Sequence, residues 1–510
     1  MGESVLFLDE SKCVKCYACV RSCPVKAIQV CKESSKPTIV DDRCIACGNC
    51  LSACSYSAIK TVSNIEQVER LLQSENKVAA ICDPSIAGEF DDIRDYRKFV
   101  TMIRRIGFDY VCEVSFGVDL IANKQATLCE KFQGRSFISS HCPVANMYVE
   151  KYQPSLVNSL SPIVPAAVAM ASVVRKHYGE ETKIVNITPC LGIKKDNSRY
   201  EKNLRIDAFL TFVELRRLFE KYEIKEEFAE FSDFDEPTGY KGSLYPIAEG
   251  FVEACGMNNE MLNRHFLNVE GKNDVPDVLK QFSKHSNEFN THFNLYFCKG
   301  CLMGPGCTKG QKFVRHNLVT EYAKKKIETL DKEKWQENID KYANKSDLVA
   351  FYKADDKTLP NPTKEEIEAA FAKLGKQAGG KHTNCRSCGY AKFYMPLAGK
   401  EDVSYADFVK FKESNAESVD STFLTRRMMA YERKTRAVNA DGGMMDIDMT
   451  LNVLPNIEMQ LVIDPTVGDI IKGRGEGLLN LRINPKSNIF EMYGDYTISE
   501  GSYLFTPTGF

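Results

Sequence analysis

The sequence predicts a multidomain α/β protein: a small α+β domain, a larger α/β domain, a helical segment and a β-rich C-terminal fragment. Three observations carry this. A chain of 510 residues is too long for one compact core. Nine of its twenty cysteines fall before residue 55, and eight of those nine follow one repeated spacing. The hydrophobic pattern then changes twice, to alternating helices and short apolar strands after residue 65 and to two-residue alternation in the last part of the chain.

Composition narrows the class. Hydrophobic residues make up 43% and charged residues 27%, as in a soluble globular protein. A formal charge of −2 and a pI near 6.4 offer no electrostatic handle for nucleic acid or an anionic membrane. No apolar run approaches the ~20 residues of a spanning helix. The start, MGESVLFLDESKC, has neither the basic nor the apolar region of a signal peptide. The expected location is cytoplasmic. Without export, many cysteines point to metal or redox chemistry instead of disulfides.

Residues 13–24 read CVKCYACVRSCP and residues 44–54 read CIACGNCLSAC. Each is C-x2-C-x2-C-x3-C, the spacing of bacterial two-cluster ferredoxins. Three thiolates on a tight loop cap three corners of a cubane, and the fourth comes from the other run. One 4Fe-4S cluster takes Cys13, Cys16, Cys19 and Cys54; the other takes Cys44, Cys47, Cys50 and Cys23. A zinc site needs only four cysteines and no crossed repeat. Cys31 lies outside the pattern and reads as a buried thiol.

Beyond residue 65, NKVAAICDPSIAGEF reads as strand, turn and helix start, and DYVCEVSFGVDLIANKQA repeats that rhythm. Cys142 in SSHCPV, Cys190 in ITPCLG, and Cys298 and Cys301 in YFCKGCLMGPGC each lie after an apolar run beside Pro or Gly. An α/β scaffold presents ligands at strand ends in this way. Together these four thiolates suffice for one more cubane. Cys82, Cys112, Cys129 and Cys255 sit in apolar contexts and are expected in the core. Cys307 follows the glycine turn and is a minor candidate for touching the cofactor.

The order of a ferredoxin domain, an S-x-C-P loop, a P-C…K-K loop and a C-x2-C-x-M-G-P-G loop resembles the iron-only (FeFe) hydrogenases. DPSIAGEF, FDYVCEVSFGVDL, YVEKYQPSLVNSLSPI and GSLYPIAEGFVEACG fall in that family's order. The resemblance implies an iron-hydrogenase-like domain over residues 65–315, after a ferredoxin-like domain over residues 1–62. It implies an H-cluster: a 4Fe-4S cluster on Cys142, Cys190, Cys298 and Cys301, with Cys301 bridging to a diiron unit carrying CO and CN⁻ ligands. It also implies H2 and protons as substrate or signal, a redox partner protein and hydrogenase maturation proteins. Three departures stand out. His141 replaces the family's proton-handing cysteine, and an imidazole carries protons near neutral pH. Lys194 lies one residue later than the family's cyanide-contacting lysine, with Ile193 in that place. The third loop is C-x2-C instead of C-x3-C, as in the family's sensory branch. The competing classes are an iron–sulfur electron-transfer protein lacking the diiron unit and, from the tail alone, an envelope protein.

Residues 316–388 form the helical segment. It holds a capping box at Thr363 and Glu366 and ends in the half-motif Cys385 and Cys388. The fragment 390–510 carries MDIDMTLNVLPNIEMQLVIDP, GLLNLRINP and IFEMYGDYTISEGSYLF, strands separated by Gly, Asn and Pro turns. Through DPTVGDIIKGRGEGLLNLRINP and YGDYTISEGSYLF it resembles the C-terminal region of TamB-like translocation and assembly proteins. A junction between two unrelated genes is expected near residues 389–392.

Overall fold

The computed structural model describes residues 4–30, 34–93, 95–131, 134–257, 264–343, 348–360, 362–363, 365–366, 394–396, 447–453, 458–464, 469–484 and 489–504. Cys31, Cys385, Cys388 and the expected junction lie outside the described residues. Contacts divide the chain into Met1–Leu359 and Pro360–Phe510.

In the first unit, β1 (Leu6–Leu8), β2 (Ile28–Val30), β3 (Pro37–Ile39) and β4 (Ile59–Thr61) form two antiparallel ribbons, β1 with β4 and β2 with β3. Two short helices, Ala18–Ser22 and Asn49–Ala53, each start within a cysteine run.

Next comes a parallel sheet of β5 (Val78–Cys82), β6 (Tyr110–Glu113), β7 (Lys183–Ile187) and β8 (Ala208–Leu210), in the order β6-β5-β7-β8. Its strands read as continuous apolar runs because both faces are covered. Along β5, Ala79 and Ile81 enter one core with helices Ser115–Lys131 and Ala166–Tyr178. Val78, Ala80 and Cys82 enter the other with Tyr96–Ile106 and Phe212–Lys221. The two-residue strand period thus sorts one strand into two cores.

A second parallel pair, β9 (Phe266–Glu270) and β10 (His292–Tyr296), is extended by single bridges from Ile138 to Phe293 and Leu160. The first cysteine loop therefore leaves from a one-residue bridge, unlike the full strands before the other two. Helices Lys312–Thr329 and Lys332–Ala343 follow.

In the second unit the capping box is present: Glu366 N donates to Thr363 Oγ1 (3.2 Å) and Thr363 N to Glu366 Oε2 (2.9 Å). Five strands form its sheet: β11 (Tyr394–Pro396), β12 (Ile447–Val453), β13 (Glu458–Asp464), β14 (Asp469–Asn484) and β15 (Ile489–Leu504). β15 pairs antiparallel along β14, β12 and β13 share the other edge of β14, and β11 joins β13.

Candidate iron–sulfur centres

The two N-terminal runs are built alike. Left-handed backbone occurs at Lys15, Tyr17 and Lys26 in the first half and at Ala46, Gly48 and Ser57 in the second. Each is displaced by the interval that separates Cys13 from Cys44 and Cys23 from Cys54. Such conformations cost non-glycine residues roughly 1–2 kcal/mol each. Here they curl the chain so that amides face sulfur. Ala27 N donates to Cys23 Sγ and Ala58 N to Cys54 Sγ, both at 3.2 Å, and Ala46 N to Cys44 Sγ at 3.3 Å.

A cavity lies among Cys13, Cys16, Cys19 and Cys54, walled by Leu8, Pro37 and Ile59. It joins the three cysteines of the first run to the last cysteine of the second. Burial pushes the Cys19 thiol up to about 11, with the Cys16, Cys54 and Cys13 thiols adding to it. Around the other centre burial pushes Cys47 up to about 12, and Cys44 and Cys23 reinforce it. Cys50 is raised by burial and by Cys47, Cys44 and Cys23. Thiols crowded away from water, as Cys19, Cys44, Cys47 and Cys50 are, resist ionisation, and bound cations of high charge reverse that preference.

The third set comes from three loops. Cys142 precedes the helix Pro143–Tyr152, Cys190 precedes Leu191–Asp196, and Cys298 and Cys301 follow β10. Burial raises Cys190 to about 12, with Cys142 next; backbone amides of Ile193 and Gly192 pull the other way. Cys298 is raised by burial and then by Cys190, Cys142 and Cys47. Cys301 is raised by burial and then by Asp83, Cys190, Cys142 and Cys298. Cys142 and Cys190 thus act on both Cys298 and Cys301, and Cys47 of the second run acts on Cys298.

Close backbone approach seats the loops. Gly306 N donates to Pro189 O (2.8 Å), and a Cβ on Gly304 would lie 2.7 Å from that oxygen. Cys301 N donates to Pro246 O (3.0 Å), which leaves no room for a side chain on Gly300 at φ 68°. Gly48, between Cys47 and Cys50, lies so close to Pro305 that a Cβ would meet the proline ring at 2.2 Å. Cys23, Cys44, Ile45 and Cys47 share one apolar cluster with Cys142, Cys190, Phe293 and Phe297.

Among the described residues no three His, Cys, Asp or Glu side chains converge on a single ion. A cubane needs thiolates set around a cage. The cavity among the first four cysteines and the amides aimed at sulfur fit an iron–sulfur group.

His141 is 2% exposed, enclosed by Tyr245, Phe251 and Tyr296 with ring centroids 5.5, 4.5 and 4.6 Å away. Asn294 Nδ2 donates to Ala248 O and Asn268 Oδ1, each at 2.7 Å. Its Oδ1 therefore accepts from His141 Nε2 (2.7 Å), and Tyr245 OH lies 3.3 Å from Nδ1. Burial lowers the imidazole to about 4, so it is neutral at pH 7. Lys194 Nζ donates to Val62 O at 2.6 Å, at the end of the ferredoxin-like domain.

Cys82, Cys112, Cys129 and Cys255 are buried. Cys307 Sγ donates to Leu302 O (3.5 Å) inside the third loop. Sequence reasoning missed Asp83, a 7% exposed carboxylate at the end of β5 and the first charge to act on Cys301. Burial raises it to about 6, against two hydrogen bonds from Ser85. An Asp directly after an all-apolar strand was the available signal.

Residues 6–55 match the 4Fe-4S dicluster domain and residues 393–510 the TamB C-terminal domain. Residues 76–305 match the C-terminal domain of the iron only hydrogenase large subunit. This part of the chain is hydrogenase-like. Iron hydrogenase 1 of Clostridium pasteurianum is 26% identical over 330 residues, 56% of this chain and 57% of that protein. The periplasmic Fe hydrogenase large subunit of Nitratidesulfovibrio vulgaris is 30% identical over 283 residues, 49% of this chain and 66% of that protein. The chain thus spans little more than half of the first of these hydrogenases and about two thirds of the second. A solved variant of the FeFe-hydrogenase HydA1 from Chlamydomonas reinhardtii aligns with a TM-score of 0.47 at 15% identity, covering 58% of this chain and all of that one. No helix among the described residues is long and apolar enough to cross a membrane.

Proposed function

We propose that this chain is a hydrogenase-like iron–sulfur protein of the sensory type that binds H2 or interconverts it with protons and electrons at an H-cluster. The observation that carries this is the meeting of Cys142, Cys190, Cys298 and Cys301 from three loops, with the second N-terminal run against them. Cys13, Cys16, Cys19 and Cys54 hold one relay cluster, and Cys44, Cys47, Cys50 and Cys23 the next. Cys142, Cys190, Cys298 and Cys301 would hold the third, and Cys301 would also carry the diiron unit. When bound, the diiron unit supplies the open iron for hydrogen. The C-x2-C spacing of the third loop supports the sensory branch.

The chain's own residues position, exclude water and set charge. Phe293, Phe297 and Val144 keep the shared core dry. Burial raises the Cys142 thiol, and the amides of Phe297 and of Ala145 and Val144, at the start of a helix, pull the other way. His141 serves as a fixed neutral post between Asn294 and Tyr245. Lys194 and Lys195 tie the second loop to Val62 and Asp41. A redox partner would meet the first centre, around which Val14 and Tyr56 are exposed. We place the first unit in the cytoplasm, where maturation proteins would load it.

The test is an infrared spectrum of anaerobically matured protein in the CO and CN⁻ region. Bands that shift under H2 are the expected result. No bands, with about twelve iron atoms per chain, would instead leave an electron-transfer protein, a reading favoured by the neutral His141.

A further inference from the structure

The third cysteine loop is gripped at both ends by one buried ion pair. Glu89 lies on the short helix Ile86–Glu89 after β5 and is 2% exposed; Arg315 lies on the helix Lys312–Thr329 and is 5% exposed. Their Nη2 to Oε2 distance is 2.7 Å. The other guanidinium nitrogen, Nη1, donates to Leu302 O at 2.8 Å. Nη2 also donates to Thr308 O and Oγ1, both at 3.2 Å. Thr308 N in turn donates to Glu89 Oε1 (3.1 Å) and Oε2 (3.2 Å).

Glycines make room for this arrangement. A Cβ on Gly310 would lie 2.6 Å from the guanidinium, and one on Gly88 would lie 3.0 Å from Arg315 Cβ. Arg216 holds Glu89 from behind, donating to its carbonyl (2.8 Å) and lying 3.7 Å from its carboxylate through Nε. Leu302 follows Cys301 within the single turn Cys301–Met303. A shift of its carbonyl turns that helix and re-aims the Cys301 side chain.

We infer that Glu89 and Arg315 are positioning residues for Cys301, their ion pair fixing the direction in which the third loop presents its last thiolate. The inference rests on the reading of that loop as cluster-binding. The planar fork matters, because two carbonyls and a carboxylate are held at once; a lysine offers a point charge on a flexible stem. Small displacements of such a shell have large consequences at the site it supports.

The test is electron paramagnetic resonance with redox titration on the full chain made without maturation proteins. The two N-terminal clusters are the internal control for folding. Arg315→Lys keeps the charge and should alter the g values of the third cluster, leaving the N-terminal signals unchanged. Arg315→Met/Glu89→Gln removes both charges of the pair, leaves Arg216 paired with Asp92, and should broaden or lose only the third signal. Glu89→Gln alone removes a negative charge and should move the third midpoint upward. Unchanged g values in Arg315→Lys and the double variant, with an unchanged midpoint in Glu89→Gln, would overturn the inference. Parent protein with about eight iron atoms and no third signal would instead overturn the reading of the loop, and the inference with it.

Discussion

At the scale of single residues, Cys301 has the sharpest consequence. Cys301→Ala should abolish infrared bands from CO and CN⁻ and leave both N-terminal clusters visible by paramagnetic resonance. Asp119 offers a test free of cofactor. It accepts from Tyr240 N and Gly242 N (2.6 Å each) and from Trp335 Nε1 (3.0 Å). Even so, burial raises it from 3.8 to about 6. A carboxyl with a raised folded value favours folding in its protonated form. That contribution is full below 3.8 and is lost as pH rises through about 6. Between about pH 5 and 7.5 the loss is about 1 kcal/mol. Trp335 is the chain's single tryptophan, so its fluorescence should titrate with an inflection near 6, and Asp119→Asn should remove that inflection. The cysteine spacings were legible because ligand geometry forces them into sequence. The state of His141 was not, because its lowered value comes from burial among Tyr245, Phe251 and Tyr296, which outweighs the raising hydrogen bond to Asn294.

Elements act here through contact between segments far apart in sequence. The short helix Asn49–Ala53 starts at Gly48, at φ 71° and in contact with Pro305 of the third loop. Alanine there pays a left-handed penalty of roughly 1–2 kcal/mol and drives its methyl group into the proline ring. Gly48→Ala should therefore assemble its clusters but pass electrons between the second run and the third site more slowly. Stopped-flow reduction monitored at each cluster would check this, and unchanged rates would mean that Pro305 yields. The unbroken apolar run of β5 announced a strand covered on both faces, and Ala79/Ile81 against Val78/Ala80/Cys82 is the outcome. What sequence did not disclose is that the first cysteine loop leaves from a one-residue bridge at Ile138. A period needs several residues to show, and a single bridge has none.

On the scale of the whole molecule, every cysteine assigned to a cluster lies in Met1–Leu359. The last described segment of that unit is also its binding strap. Leu348 O accepts from Val164 N (3.2 Å), and Tyr352 OH donates to Ile163 O (2.8 Å). Asp355 N donates to Glu150 O (2.9 Å) on the helix that begins beside Cys142, and Lys357 pairs with Asp42 (2.9 Å) of the ferredoxin-like domain. The strap thus ties both domains of the unit together just before the chain passes to the β-rich fragment. The two-residue alternation of that fragment was plain in the sequence, and the strands Ile447–Val453 and Glu458–Asp464 follow it. A chain ended after Leu359 should fold, bind about twelve iron atoms when reconstituted with iron and sulfide, and keep all three cluster signals. Ending it before Leu348 should weaken the first cysteine loop, because Ile163, Glu150 and Asp42 lose their partners together. Iron content and thermal unfolding of the two truncations separate these outcomes. Loss of iron from the longer one would mean that the C-terminal unit takes part in holding the clusters.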